Sequence, residues 1–201
     1  MQNKIKNIVF DIGNVIVRWA PYEVIGPIFA GENPQDLFQK MRPVWLDLNL
    51  GKITEQEAIS LLAHQLNAPT AKLIQLFADF KEHQDLIPGS INLLQKLDKL
   101  GFSLYSITDN IKEIMQYHRT HSNFLSYFKG IIASCDIGIV KPDERIFRAL
   151  LNKYKLDPAE SIFIDDIAAN VEGAKAIGMK AFQFTDSKSC EKMLISYGIE
   201  L

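Results

Sequence analysis

The amino-acid sequence predicts an α/β fold whose core is a doubly wound, Rossmann-like parallel sheet. Short apolar segments typical of buried strands alternate along the chain with amphipathic segments typical of helices. Polar residues directly follow several of the strand-like segments, as at the carboxyl edge of a parallel sheet. A stretch from about residue 21 to residue 86 shows helical patterns only, so an all-helical insert interrupts the alternation.

Composition limits the classes of function. The 201 residues are 47% hydrophobic, which is enough for one sizeable core and a small inserted lobe. The 22 basic and 24 acidic residues are interspersed and give a net charge of −2, which argues against a nucleic-acid partner. No apolar run reaches membrane-spanning length, and the start of the chain lacks a signal-peptide pattern. We therefore expect a cytoplasmic protein without a membrane partner, either a monomer or a weak homodimer.

The spacing of the cysteines fits this location, and the spacing of the histidines does not indicate a metal site. Cys135 and Cys190 show no C-x-x-C spacing, and we interpret both as buried apolar residues in a reducing compartment. The four histidines show no metal-binding spacing on a strongly predicted helix and are expected at the surface. They are His64, His83, His118 and His121.

The first elements are a strand and the helical insert. Residues 5–10 form a strand-like segment that stops at Asp11, where glycine and asparagine allow a sharp turn. Within the insert, Thr54 and Glu57 have the spacing of a capping box that opens an amphipathic helix. After Pro88-Gly89 a helical stripe ends at Gly101. The stripe consists of Ile91, Leu94, Leu97 and Leu100.

The remaining elements alternate regularly. A helix is predicted to begin near Pro142, and another spans residues 170–177 and is closed by Gly178. The strand-like segments are residues 102–107, 130–133, 161–164 and 181–184. Because strands joined by helices pair in parallel through right-handed crossovers, their carboxyl ends should meet at one edge.

Residues at that edge have the chemistry of phosphoryl transfer. Carboxylates are ligands that suit Mg²⁺, a lysine can neutralise a phosphoryl oxygen, and a threonine hydroxyl can donate to another. Phosphoryl transfer depends mainly on positioning and charge neutralisation, so such a set is nearly sufficient for it. The residues concerned are Asp11, Thr108, Asp109, Lys141, Asp165 and Asp166.

These residues lie in four segments that resemble, in order, the four motifs of the haloacid dehalogenase-like superfamily. The fourth segment is similar to the branch that contains bacterial glucose-1-phosphate phosphatases and the amino-terminal phosphatase domain of soluble epoxide hydrolase. The first segment points to the glucose-1-phosphate phosphatases. The segments are Phe10-Asp11-Ile-Gly-Asn-Val15, Ser106-Ile-Thr108-Asp109, Lys141-Pro142 and Phe163-Ile-Asp165-Asp166-Ile-Ala-Ala-Asn170.

The resemblance implies a role for each site residue. Asp11 would be the nucleophile that forms an aspartyl-phosphate. Mg²⁺ would be held by Asp11, the backbone carbonyl of Gly13, and Asp166. Thr108, Asp109 and Lys141 would bind the substrate, a small-molecule phosphate ester. As metal ligands, Asp165 and Asn170 rank below Asp166. They are expected to hold the residues that contact the metal and the substrate in position. The resemblance also implies a core of residues 1–17 and 88–201 and a helical cap of residues 18–87.

The sequence departs from the family at Gly13, where most phosphatases of the superfamily carry an aspartate that acts as general acid and base. Its absence could cost on the order of 3–5 kcal/mol of barrier. Three hypotheses follow: the substrate has a good leaving group, such as the anomeric oxygen of a sugar 1-phosphate; Asp109 or a water supplies the proton; or the protein turns over poorly and mainly binds phosphorylated ligands. Asp109 itself replaces the asparagine usual in the second motif.

Other functions stay open on the sequence alone. Metal-free 2-haloacid dehalogenases also lack the second aspartate, but Asp166 beside Asp165 favours Mg²⁺ and phosphate. A phosphotransferase and a non-catalytic phosphate-binding protein are further alternatives. Arg42 and Trp45 share a predicted helix face and Trp19 follows the first motif, so any of them could contact the substrate. Aromatic residues at such spacing are more often core, and we leave all three out of the predicted site.

Overall fold

The computed structural model describes residues 4–201 and has one five-stranded sheet. The strands are β1 (Asn7–Phe10), β2 (Ser103–Thr108), β3 (Gly130–Ala133), β4 (Ser161–Asp165) and β5 (Lys180–Gln183). Their order is β3-β2-β1-β4-β5, and every neighbouring pair is parallel. The predicted fold class is therefore confirmed. Residues 1–3, which belong to the predicted core and to the start read for a signal peptide, lie outside the described residues.

Helices surround this sheet and fill the insert. They are α1 (Pro21–Ile28), α2 (Pro34–Asn49), α3 (Glu55–Gln65), α4 (Thr70–Glu82), α5 (Ser90–Lys99), α6 (Lys112–His121), α7 (Ser134–Ile137), α8 (Glu144–Tyr154), α9 (Ala168–Ala176) and α10 (Ser187–Ser196). The capping box at the start of α3 is present as predicted. Across residues 4–201, none of the helices has the length and apolar character needed to cross a bilayer. The cytoplasmic location stays a prediction.

Both faces of the sheet are covered, as a parallel sheet requires. Successive side chains of β1 alternate between the two faces. Ile8 and Phe10 pack in one cluster with side chains of α5 and α10, whereas Val9 packs in another with side chains of α8 and α9. All four residues of β1 are buried. The central strand is thus held from both sides, which fixes the position of the residue that follows it.

The predicted stripe on α5 is only partly correct. Leu94 and Leu97 are buried, together with Leu93, but Ile91 is half-buried and Leu100 is 51% exposed. The helix ends at Lys99, so the last leucine of the stripe lies beyond the helix and turns away from the core. The buried face therefore includes Leu93, which the prediction left out, and excludes Leu100.

Helices α1–α4 have a hydrophobic cluster of their own, which also includes Ile111 and Ile114 beside the core. The two chain segments that lead into and out of this region pair with each other. The amide of Arg18 donates to the carbonyl of Asp85 at 2.7 Å, and the amide of Ile87 donates to the carbonyl of Ile16 at 2.9 Å. These paired segments coincide with the limits of the proposed cap, residues 18–87, whose boundaries stay a prediction.

One histidine is not where it was expected. His118 is fully buried on the face of α6 that carries Ile114 and Met115, and it packs 5.1 Å from the ring of Phe124. Its Nε2 is buried and has no hydrogen-bond partner among residues 4–201, and burial lowers its pKa to about 4. The expectation of a surface position was wrong for His118 because its i, i+3 and i+4 spacing on an apolar helix face was overlooked. The other three histidines are exposed, and both cysteines are buried as expected.

Candidate active site

The carboxyl edge of the sheet brings acidic residues of two neighbouring strands together. Asp11 directly follows β1, and Asp165 is the last residue of β4. The strands are in register, with Phe10 opposite Ile164, and the amide of Asp11 donates to the carbonyl of Ile164 at 2.9 Å. Parallel pairing therefore places the two carboxylates side by side, as the sequence predicted for this edge.

Lys141 links these carboxylates from the segment that precedes α8. Its Nζ lies 2.9 Å from Asp11 Oδ1 and 2.7 Å from Asp165 Oδ2, and its side chain is 1% exposed. Its backbone amide donates to Asp109 Oδ1 at 3.1 Å. Burial alone would lower the pKa of Lys141, but the three surrounding carboxylates together raise it well above its ordinary value. Lys141 is thus a permanently charged ammonium at the centre of the site.

Asp165 is held by donors on the protein side. The amide Nδ2 of Asn170 donates to both of its oxygens, at 3.0 and 3.1 Å, and the backbone amide of Ile167 donates to Oδ1 at 2.8 Å. Asp165 is completely buried, and Asn170 lies in the first turn of α9. Asp165, itself held by Asn170, therefore fixes the position of the Lys141 ammonium.

Three carboxylates converge closely enough to share a cation. Asp11, Asp165 and Asp166 can each offer one oxygen, and these oxygens lie within 4.8 Å of one another. Burial raises the pKa of Asp11 to about 7, with Lys141 opposing this rise and Asp165 adding to it, and burial likewise raises the pKa of Asp166. One ammonium therefore does not neutralise the cluster. Oxygen donors with excess negative charge fit a divalent cation such as Mg²⁺.

The turn after β1 contains a site residue that the sequence analysis missed. Asn14 has a left-handed backbone conformation, with φ of 53°, and its side chain bridges two parts of the molecule. Its Nδ2 donates to Asp166 Oδ2 at 3.2 Å, and its Oδ1 accepts from the backbone amide of Trp19 at 2.9 Å. An asparagine beside a glycine in a turn is the available signal, since asparagine tolerates this conformation better than most residues.

A cavity of about 660 Å³ lies over this edge of the sheet. It is lined by six of the predicted site residues: Asp11, Gly13, Asp109, Lys141, Asp166 and Asn170. Thr108 and Asp165 are fully buried and do not line it. The structure thus gathers the predicted residues around one cavity but places these two beneath its wall. Burial raises the pKa of Asp109, and the positive charge of Lys141 partly offsets this rise.

The helical region contributes the opposite wall. Trp19, Arg42 and Trp45 all line the cavity, although the sequence analysis left them out of the site. The two indole rings are stacked with centroids 5.2 Å apart. Periodicity alone does not distinguish a helix face that packs against a core from one that lines a cavity. For this reason the sequence did not predict these residues at the site. Phe38, Leu46, Asn49 and Gln84 also belong to this wall.

The chain is similar to one protein family and to two characterised relatives over most of its length. Residues 5–178 match the family described as haloacid dehalogenase-like hydrolase. The chain is 27% identical over 190 residues to a sesquiterpene phosphatase of Aspergillus oryzae, covering 90% of this chain and 91% of that one. It is 27% identical over 203 residues to flavin mononucleotide hydrolase 1 of Arabidopsis thaliana, covering 100% and 80% of the two chains.

The fold is also similar to that of solved structures. One is a haloacid dehalogenase family enzyme of Bacteroides thetaiotaomicron, solved in complex with magnesium and inorganic phosphate. The TM-score is 0.78 with 22% sequence identity, over 90% of this chain and 95% of that one. At this identity the likeness concerns the fold.

Proposed function

The chain belongs to the haloacid dehalogenase-like hydrolase family, and on this premise we propose that it is a Mg²⁺-dependent phosphatase acting on a small phosphorylated metabolite. The observation that carries the proposal is the convergence of Asp11, Asp166 and Lys141 on one cavity. Its similarity to a sesquiterpene phosphatase and a flavin mononucleotide hydrolase supports the choice of phosphate esters. Sugar phosphates, implied by the first motif, stay a prediction about the substrate, and so does the narrower branch within the family.

Asp11 is the proposed nucleophile. Its Oδ1 forms an ion pair with Lys141 and accepts a hydrogen bond from the backbone amide of Ile12 at 2.7 Å, whereas Oδ2 has no hydrogen bond within residues 4–201. Oδ2 attacks phosphorus, the bond to the ester oxygen breaks, and the leaving group departs with the electron pair. A water then attacks the aspartyl-phosphate at phosphorus, which releases inorganic phosphate and restores the carboxylate.

Charge neutralisation falls to the residues around Asp11. The ammonium of Lys141 is held in place by Asp165 and by the carbonyl of Ile107, and its third oxygen partner is Asp11. A phosphoryl oxygen bound to Lys141 would take the place of one of these partners. Thr108, at the end of β2, stays the predicted hydroxyl donor, but it is buried beneath the cavity wall and could donate only to a phosphoryl oxygen that reaches below that wall. Mg²⁺ held by Asp11, Asp166 and the carbonyl of Gly13 would supply further positive charge to the phosphoryl oxygens.

The proton for the leaving group has no carboxylate at Gly13 to come from. Asp109 lines the cavity, and burial raises its pKa, so it retains a proton more readily than an exposed aspartate. We propose Asp109 as the donor. If so, phosphate release by the unmodified protein falls as the pH rises through the pKa of Asp109, and Asp109→Asn removes this dependence. An unchanged pH profile would leave leaving-group quality as the explanation.

The test of the function is Mg²⁺-dependent release of inorganic phosphate from a panel of phosphate esters that includes p-nitrophenyl phosphate and glucose 1-phosphate. Release should vanish in Asp11→Asn and with a chelator. No release from any ester, with folded protein and Mg²⁺, would contradict the proposal. Chloride release from chloroacetate without metal would then assign the 2-haloacid dehalogenase activity instead, and phosphate-ester binding without turnover would assign a binding protein.

A further inference from the structure

Resting on the phosphatase function proposed above, we propose that the substrate is a phosphomonoester whose leaving group carries a flat apolar ring, which lies against Trp19, Trp45 and Leu46. Trp19 and Trp45 form the aromatic wall of the cavity, and Leu46, the residue after Trp45, lines the same cavity. The phosphoryl group would bind at the polar lining around Asp11 and Lys141, and the ring would bind at this apolar lining.

The aromatic wall is rigid before any ligand binds. Trp19 and Trp45 stack with an interplanar angle of 24°, and the ring of Phe80 lies 5.2 Å from Trp19 and 5.3 Å from Trp45. Phe77 packs against Trp45 at 6.0 Å. Because both phenylalanines are buried, the indoles are held from behind, and little conformational freedom is lost when a ring stacks on them.

Few polar groups face the leaving group. All carboxylates that line the cavity belong to the sheet edge and the segments after it; they are Asp11, Asp109 and Asp166. On the helical side, Gln84 already donates its Nε2 to the carbonyl of Phe80 at 2.7 Å. Arg42 and Asn49 remain. A sugar would bring several hydroxyls into this space, and each would need a partner after leaving water.

The aromatic wall is also close to the reacting end of the cavity. A Cβ atom built on Gly13 would have Trp19 Cβ as its nearest neighbour, at 4.0 Å. Gly13 follows Asp11 by two residues, so the wall begins where the leaving group departs. A ring attached near the ester oxygen can reach it.

The two tryptophans of the chain are Trp19 and Trp45, so tryptophan fluorescence reports on the aromatic wall directly. The probes are benzylphosphonate and methylphosphonate, which cannot be hydrolysed and so separate binding from leaving-group quality. With Mg²⁺ present, calorimetry should show benzylphosphonate binding about tenfold more tightly than methylphosphonate. Benzylphosphonate should change the fluorescence, and inorganic phosphate should displace it.

A matched pair of variants locates the effect. Leu46 and Leu61 are both leucines of the helical region, 46% and 51% exposed, but only Leu46 lines the cavity. Leu46→Asp should bring the ratio of the two affinities close to one, whereas Leu61→Asp should leave it unchanged. The ratio cancels the repulsion that the new carboxylate exerts on either phosphonate.

The outcomes separate this inference from the proposed function. Equal affinities for the two phosphonates in the unmodified protein, with inorganic phosphate still bound, would overturn the aromatic leaving group and leave the phosphatase intact. Benzylphosphonate that phosphate does not displace would also overturn it, because its ring would then bind elsewhere. If neither phosphonate nor phosphate binds with Mg²⁺, the phosphatase proposal itself fails.

Discussion

The ammonium nitrogen of Lys141 lies 2.9 Å from Oδ1 of Asp11, and both side chains are almost fully buried. A second buried carboxylate, that of Asp165, lies 2.7 Å from the same nitrogen. Lys141, the cation proposed to contact the phosphoryl oxygens, is therefore also the cation that neutralises the proposed nucleophile Asp11. Activity and stability should depend on the same side chain.

Lys141→Met tests this dependence. Removing one partner of a buried ion pair leaves uncompensated charge, so the free energy of unfolding should fall by about 3–5 kcal/mol, and phosphate release should be lost. Denaturant unfolding measures the first effect. Lys175→Met is the matched control, because Lys175 is exposed and pairs with Glu172, which is also exposed. It should change the free energy of unfolding by less than about 0.5 kcal/mol. Equal effects of the two variants would contradict the account.

Mg²⁺ should stabilise the folded chain through Asp11, Asp166 and the carbonyl of Gly13. At a concentration of about 100 times its dissociation constant, it should add about 2.7 kcal/mol and raise the Tm by roughly 5–10 °C. The binding form of Asp11 is ionised, so the rise should be larger above pH 7 than below it, since its pKa without metal is about 7. Thermal unfolding of Asp166→Asn should show no such rise, while that of Glu172→Gln, an exposed carboxylate of α9, should resemble the unmodified protein. A full rise in Asp166→Asn would exclude Asp166 as a ligand.

Gly13→Asp should supply the acid that the turn after β1 lacks. Gly13 itself does not have a positive φ, and a Cβ added there would have Trp19 Cβ, at 4.0 Å, as its nearest neighbour, so the side chain can be accommodated. On an alkyl phosphate, whose leaving group needs a proton, kcat should rise by about 10² or more. Gly13→Asn has the same size without the acid and should give no gain. A fall in kcat in both variants would show that the position tolerates only glycine.

His118 should make stability depend on pH. Its pKa is about 4 in the folded chain against 6.5 for an ordinary histidine, so the unfolded chain binds a proton that the folded one does not. Stability from this group is present above pH 6.5 and is lost as the pH falls toward about 4, by up to about 3 kcal/mol. Comparing unfolding of His118→Gln with the unmodified protein across this range isolates the effect. Exposed His121→Gln should follow the unmodified protein, and a parallel loss in His118→Gln would refute the assignment.

The sequence predicted the parallel sheet and the residues at its edge because both depend on local patterns. Strand-like segments end at Asp11 and Asp165, and parallel pairing then brings their side chains together without further information. Lys141 could be named from its motif, but its contacts with both carboxylates depend on the tertiary fold.

The far wall of the cavity could not be predicted in the same way. Trp45 and Arg42 lie on a helix whose periodicity is that of any half-buried helix, and only the packing of the helical region over the sheet edge turns this face toward the cavity. Asn14 contacts Asp166, which lies 152 residues away along the chain, so no local pattern identifies the pair. The surface position predicted for His118 was wrong for the opposite reason. Its helical spacing from Ile114 and Met115 is a local pattern that indicates burial.

The most direct test of the central claim is to look for phosphate on Asp11. The protein with Mg²⁺ is mixed with p-nitrophenyl phosphate, quenched in acid within the first turnover, digested and analysed by mass spectrometry. The account predicts the mass of one added phosphoryl group on the peptide that contains Asp11, and no such addition in Asp11→Asn or after chelation. Phosphate release that proceeds without any phosphorylated peptide, or with phosphate on another residue, would contradict it.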